Sequence, residues 1–248
     1  MTFIVCDVKG LEIAAIAVLS RDRKLIEELN NKVDIHGNNM DMLGFQSQAD
    51  GRLKAKKFVF RLIYGGTSFS YAQDPDFNNI SSKPKYWQGK IDDFYDKYRG
   101  IKDWHYRIVQ HVQRTGTLSI PTGRSFKFST FKSNNGETQW PITKIKNYPV
   151  QGFGADLVCI GRTRYYQNLS RDKEYRKDYV KLCGTIHDSI IVDTFNGVLE
   201  NEIQRLEESI ENVPRNFEAI FGEEFPVPLT AEIKTGPNLK ELSKYVKV

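Results

Sequence analysis

Cysteine is scarce in this chain. Cys6, Cys159 and Cys183 are all it has, an odd number with no Cys-x-x-Cys spacing. That excludes a disulfide-stapled secreted fold and a zinc ribbon or finger. Each cysteine stands in an apolar run, so all three are expected to be buried thiols in a reducing compartment. Histidine is scarce too, and His36, His105, His111 and His187 are not spaced as metal ligands. Long hydrophobic runs are missing. No stretch reaches membrane-spanning length, and the start, Met-Thr-Phe-Ile-Val-Cys-Asp, lacks the basic and apolar regions of a secretory signal. The expectation is a soluble, intracellular protein of the cytoplasm with no membrane contact. There is no internal repeat and no low-complexity tract, which excludes solenoids and disordered tails. An excess of one charge sign is also nearly lacking, since 36 Lys plus Arg stand against 31 Asp plus Glu, for a net charge of +5. So mild a basic balance permits phosphate binding without establishing it. Aromatics, at 12%, suit base stacking and suit an ordinary core at least as well.

What is present is a globular chain of 248 residues, long enough for one large domain or two small ones. Residues 2–19 read as a strand, a polar turn at Asp7-Val-Lys-Gly, and an apolar helix. A charged helix is expected over 20–31, with Ser20 as N-cap and Asp22 in its first turn. After Asp34-Ile-His36 and a loop, a long helix begins near Ala49 and stops at Gly65-Gly66. Residues 74–84 read as a loop and 86–114 as helix broken at Arg99-Gly100. A hairpin follows over 117–129, turning at Thr122-Gly123, then an exposed polar segment over 132–138. Another helix is expected to start at Pro149, with the proline in its first turn. A charged stretch over 168–178 leads to a strand that turns back at His187-Asp188. An acidic helix then runs from Asp193 to about Glu211, and 227–234 form a last strand.

Three pieces carry chemistry. Asp7 ends one strand-like run and Asp188 lies between two others; two carboxylates delivered by strands can hold a pair of Mg²⁺ ions. Alone, Asp7 reads equally as a turn or capping residue, and a lone His-Asp pair has almost no specificity. Between them, Arg52, Lys56, Phe60 and Tyr64 advance by four residues each. On a helix these form one slowly drifting stripe, with Val59, Leu62 and Ile63 turned to the core. A solvated basic face would explain Arg52 and Lys56 but not the aromatics that continue the same stripe. Cations followed by aromatics suit a triphosphate and a base.

This order and spacing resembles the family A DNA polymerases, over essentially the whole chain. The resemblance implies an α+β fold: a palm of antiparallel sheet with packed helices, in segments 1–20 and 141–248, and a mostly helical fingers subdomain at 21–140. It implies that Asp7 and Asp188 bind two Mg²⁺ ions, and that Glu12, five residues after Asp7, is the steric gate against a 2′-hydroxyl. Arg52 and Lys56 would neutralise the triphosphate, Phe60 would pack on the sugar and Tyr64 would stack near the templating base. His187 would contact the primer terminus. Asn147 and Gln151, in Asn-Tyr-Pro-Val-Gln-Gly, resemble the amides that test the minor groove of the new pair. The segment 227–236 resembles the family's closing strand. The chain departs from the family pattern at Lys9-Gly10, Ala14, Arg61, Thr143 (with Lys144 beside it) and Ser189, the last standing where a Glu is usual. The implied activity is template-directed addition of dNTPs to a primer 3′ end. The implied partners are primer-template DNA and dNTPs. The family's thumb and first palm segment lie upstream of the Asp7 motif, usually with an exonuclease before those, so a second polypeptide carrying the thumb and upstream palm is expected, as in a split phage-type polymerase. Truncation or a decayed remnant are the alternatives, and intact Asp7, Glu12, Lys56, Tyr64 and Asp188 argue against decay. A rival reading from another class is a non-catalytic nucleic-acid-binding scaffold derived from a polymerase.

Overall fold

A computed structural model describes residues 1–172 and 179–246, so most of the expected charged stretch, 173–178, lies outside the described residues. In chain order the elements are β1 (Thr2–Val8), α1 (Leu11–Ser20), α2 (Arg23–Asn30), α3 (Ile35–Leu43), α4 (Gly51–Ile63), α5 (Ser68–Ala72), α6 (Pro84–Lys97) and α7 (Arg99–Thr115). Two short hairpins follow, β2 (Thr117–Ser119) with β3 (Ser125–Lys127), and β4 (Phe131–Lys132) with β5 (Thr138–Gln139). The remainder is α8 (Ile142–Arg171), β6 (Val180–Ile186), β7 (Ser189–Thr194), α9 (Leu199–Glu211), α10 (Val213–Phe221), β8 (Ala231–Gly236) and β9 (Ser243–Lys244). The chain divides into two compact units, Met1–Ala15 with Gly152–Val248, and Ile16–Gln151.

The first unit is built on a five-stranded antiparallel sheet in the order β6-β7-β1-β8-β9. β1 is central because it is the most apolar strand: Ile4, Val5, Cys6 and Val8 are all buried, which only a strand paired on both sides and covered on its faces can satisfy. Among the described residues the open edges therefore fall to β6 and β9. α9 packs against β1 and β8, and α9 approaches α8 closely at Gly161, where a Cβ would lie 2.7 Å from Ile210 Cδ1. Phe153, Phe217 and Phe225 close the core with ring centroids 5.4–6.3 Å apart.

The second unit is helical and its core is aromatic. Phe58 stacks on Tyr71 at 4.6 Å, Tyr71 on Trp87 at 5.6 Å, and Phe77 meets Trp87 edge-on at 5.3 Å. The polar ends of these rings are satisfied by backbone: Tyr71 donates to the Phe58 carbonyl (2.7 Å) and Trp87 to that of Ser81 (2.7 Å).

Several boundaries differ from the sequence expectation, each for a local reason. Asp7 lies within β1 rather than in the turn after it, and the turn is Lys9-Gly10. Ser20 ends α1, and the N-cap of α2 is Asp22, whose side chain accepts from the Leu25 amide at 2.8 Å. α3 occupies an expected loop: Gly37, Asn38 and Asn39 are poor helix formers, but Ile35, Asn39 and Leu43 bury one stripe, and packing overrides propensity. Pro149 sits inside α8, not in its first turn. An interior proline costs about 3 kcal/mol, which burial of Pro149, Val150 and Phe153 offsets. Of the cysteines only Cys6 is buried; Cys159 and Cys183 are exposed. Cys183 falls at a bulge in edge strand β6, whose alternate residues face outward. The acidic helix starts at Leu199, because Asp193 and Thr194 still belong to β7.

Candidate active site

Register places the first set of groups. Asp7 on β1 lies directly opposite Ser189 on β7 and Glu232 on β8. Asp188 precedes Ser189 in the two-residue turn between β6 and β7, where His187 takes the left-handed conformation (φ 54°). The Val8 amide donates to the Asp188 carbonyl at 3.3 Å, so the two aspartates sit on adjoining backbone at the same end of neighbouring strands. Both Asp7 oxygens are engaged. Ser189 Oγ donates to Oδ1 and Lys234 Nζ to Oδ2 at 3.0 Å. Asp7 in turn holds the Lys234 ammonium above the usual lysine range, and burial, aided by Asp7, pushes the neighbouring Cys6 thiol up to about 12. Glu12, half-buried, stands in the first turn of α1, beyond Gly10 (φ 63°). Two carboxylates and a hydroxyl form a hard-oxygen donor set of the kind that suits Mg²⁺ with part of its water shell retained. Among the described residues no group of three His, Cys, Asp or Glu gathers as a metal cluster.

The second set lies on α4. Arg52 and Lys56 are exposed, Phe60 and Tyr64 half-buried, and the opposite face buries Ala55, Phe58, Val59, Leu62 and Ile63. Arg52 forks onto Asp34, with Nε to Oδ2 at 2.9 Å and Nη2 to Oδ1 at 2.8 Å. That hydrogen bonding holds the Asp34 carboxyl at about 2. Lys56 Nζ stands 5.6 Å from the Phe60 ring centroid, and the His36 ring lies 5.8 Å from the same ring. Burial, then Lys56 and Arg52, bring the His36 imidazole down to about 4, and its buried Nδ1 has no hydrogen-bond partner among the described residues. Lys56 and Phe60 also line a cavity of about 400 Å³ with Leu53, Lys57, Arg61, Asp76 and Phe77.

The end of α4 is anchored rather than frayed. The Ile63 carbonyl takes a hydrogen bond from His105 Nε2 at 3.1 Å, while His105 Nδ1 lies 3.0 Å from the Tyr95 hydroxyl. A carbonyl only accepts, so Nε2 carries the proton and Nδ1 accepts from tyrosine. Burial, with Lys146 nearby, lowers this imidazole to about 3. Gly65 (φ 87°) follows, and a Cβ there would lie 3.1 Å from the Thr143 backbone. Arg61, a departure from the family pattern, fastens α4 to the segment that follows it. It pairs with Asp74, donates to the Ser70 carbonyl at 2.9 Å, and lies over the rings of Tyr71 and Phe77.

Asn147 and Gln151 lie on α8, four residues apart and so on one face. Asn147 is half-buried with its Oδ1 unpartnered among the described residues, and Gln151 is exposed.

Asp7, Asp188 and Ser189 are thus brought together on one sheet, with Glu12 on the helix that follows it, and Arg52, Lys56 and Phe60 follow one another along α4 with Tyr64 at its C-cap. Sequence reasoning missed Lys234 and Asp34, the two residues that neutralise these sets. Neither had a local signal, because each meets its partner only through the fold.

The chain belongs to DNA polymerase family A, whose sequence profile matches residues 1–241. Among curated relatives it is similar to DNA polymerase I of Lactococcus lactis subsp. cremoris (strain MG1363), 27% identical over 236 residues, covering 93% of this chain and 25% of the relative. It is also similar to DNA polymerase I of Chloroflexus aurantiacus, 24% identical over 245 residues, covering 97% and 24%. The chain thus spans about a quarter of the length of these relatives. A solved structure described as the POL domain of Pol1 from M. smegmatis in complex with DNA primer-template and dNTP shares the fold, with a TM-score of 0.77 at 19% identity over 95% of this chain and 39% of that one. No helix among the described residues is long and apolar enough to cross a membrane.

Proposed function

We propose that this chain is the palm-and-fingers portion of a template-directed DNA polymerase and adds deoxynucleotides to a primer 3′ end. The observation that carries the reading is the meeting of Asp7 and Asp188, from opposite ends of the chain, on adjoining strands of one sheet. The strand unit, Met1–Ala15 with Gly152–Val248, is the palm and carries out the transfer; the helical unit, Ile16–Gln151, is the fingers and binds the incoming triphosphate.

Asp7 and Asp188 would hold two Mg²⁺ ions, and the Lys234 ammonium resting on Asp7 supports this, since a cation is already stable there. Bound there, the ions would acidify the primer hydroxyl and draw charge from the leaving pyrophosphate. The remaining roles belong to the chain. Lys56 and Arg52 neutralise the triphosphate, and Arg52 exchanges the Asp34 carboxylate for phosphate oxygens of the same bidentate geometry. Phe60 packs on the sugar, Glu12 fills the space a 2′-hydroxyl would need, and Tyr64 stacks beside the templating base. His187 touches the primer end, and Asn147 and Gln151 present amides to the minor groove, where the acceptors vary little between correct pairs. The palm engages a partner polypeptide. Exposed edge strand β6 and the stacked, exposed Tyr179 and Phe195 (5.4 Å) support a partner surface there. The protein works in the cytoplasm, where DNA and dNTPs are found.

Primer extension with and without Mg²⁺, alongside a DNA-binding measurement, tests this reading. Mg²⁺-dependent extension is expected. A chain that binds primer-template and incorporates nothing is the non-catalytic scaffold instead.

A further inference from the structure

Lys234 is the one cation in contact with a catalytic carboxylate among the described residues, and its place is set by the sheet. β8 pairs with β1 so that Lys234 lies opposite Val5 and Glu232 opposite Asp7. Lys234 is therefore the diagonal neighbour of Asp7 on the same face, within reach of a long side chain. Around it the charges are otherwise matched. Glu232 is taken by Lys244 on β9 at 3.2 Å, which leaves Lys234 to Asp7. Ser189 Oγ donates to Asp7 Oδ1 and Lys234 Nζ to Oδ2, so a divalent ion that takes Oδ2 meets the Lys234 ammonium there. The Lys234 side chain is 42% exposed and Asp7 24%, so the ammonium can swing into water while the carboxylate stays in place.

Resting on the metal-site reading above, we propose that Lys234 is a built-in counterion for Asp7 that competes with the catalytic divalent ion. In the metal-free protein it relieves the repulsion between Asp7 and Asp188. On metal binding it leaves Oδ2. Its presence therefore stabilises the empty site and weakens metal affinity, tuning the concentration at which the site fills. A partly exposed Lys–Asp pair is a weak bond, so the expected competition is about two- to fivefold in metal affinity.

The test is direct Mn²⁺ binding to the full chain, followed by the electron paramagnetic resonance signal of unbound Mn²⁺, with no DNA or nucleotide present. Lys234→Met should bind Mn²⁺ about two- to fivefold more tightly than wild type. Its melting temperature without metal should fall, and the rise caused by saturating Mn²⁺ should be larger than in wild type. Lys234→Gln keeps a donor and loses the charge; it should tighten binding in the same direction, and it decides the matter if the Met variant does not fold. Asp7→Asn and Asp188→Asn serve as controls and should weaken binding at least about tenfold. Wild-type or weaker affinity in the Lys234 variants, with the Asp controls behaving as stated, would overturn the counterion proposal and leave the metal site standing. Unchanged binding in both Asp variants would overturn both.

Discussion

The two charged regions are mirror images in sign. On the sheet, the carboxylate of Asp7 is neutralised by Lys234; on α4, the guanidinium of Arg52 is neutralised by Asp34. In each case the side chain that would meet a ligand already has an internal partner of the ligand's own charge. The regions differ in what surrounds the pair. The Arg52–Asp34 fork is more than half exposed on both sides, whereas Asp7 is largely enclosed and hydrogen-bonded at both oxygens. An exposed fork is easily exchanged and worth little, about 0–1 kcal/mol. A carboxylate fixed from two sides is pre-organised, and its loss is felt in full.

The largest effect should come from the sheet. Asp7→Ala and Asp188→Ala are each expected to lower single-nucleotide incorporation on the order of 10³-fold or more, while primer-template affinity changes little. Fluorescence anisotropy for binding and a quench assay for incorporation measure the two separately. A near-normal rate in either variant would remove the distinction between the regions.

A second, smaller effect should appear in the helical unit under acid. His105 is held neutral at the end of α4, with its imidazole lowered to about 3 from an ordinary value near 6.5, and His36 is lowered to about 4. Between these values the unfolded chain binds protons that the folded chain does not, so stability is fully present above about pH 6.5 and declines as pH falls toward 3. The loss should be on the order of 2–3 kcal/mol by about pH 4.5 from the buried His105 alone, with a smaller addition from the partly solvated His36. Urea unfolding from about pH 7 to about pH 4.5 measures it. His105→Gln, which keeps a donor for the Ile63 carbonyl and cannot titrate, should flatten part of the slope, and an unchanged slope would mean that other groups set it.

The smallest effect belongs to the exposed fork. Asp34→Asn should lower the apparent KM for nucleotide about two- to threefold, because the triphosphate no longer competes with a carboxylate for Arg52. A rise in KM would instead make Asp34 a positioning residue for Arg52.

The same contrast bears on what could be read from the sequence. The α4 stripe was legible because helical periodicity repeats locally, and the strands bearing Asp7 and Asp188 because apolar runs with a polar terminus are short-range patterns. The central position of β1 could be read only in part, since its apolarity signals burial but not which strands flank it. Short helices such as α3 and α5 were hidden by poor formers held in place by packing and by the capping box of Thr67 and Ser70. Lys234 and Asp34 were not legible at all. A charge pair between β1 and β8 leaves no mark on either segment, and Ser189 looked like a lost carboxylate until the sheet placed its hydroxyl on Asp7.

Whether Asp7 and Asp188 form a polymerase centre is decided by template-directed incorporation under single-turnover conditions. The chain is kept in excess over primer-template, and each of the four dNTPs is offered against each of the four templating bases. Mg²⁺-dependent addition of the complementary nucleotide is expected at every template, abolished by Asp188→Asn. Bound primer-template with no incorporation, or addition that ignores the template base, would contradict that assignment.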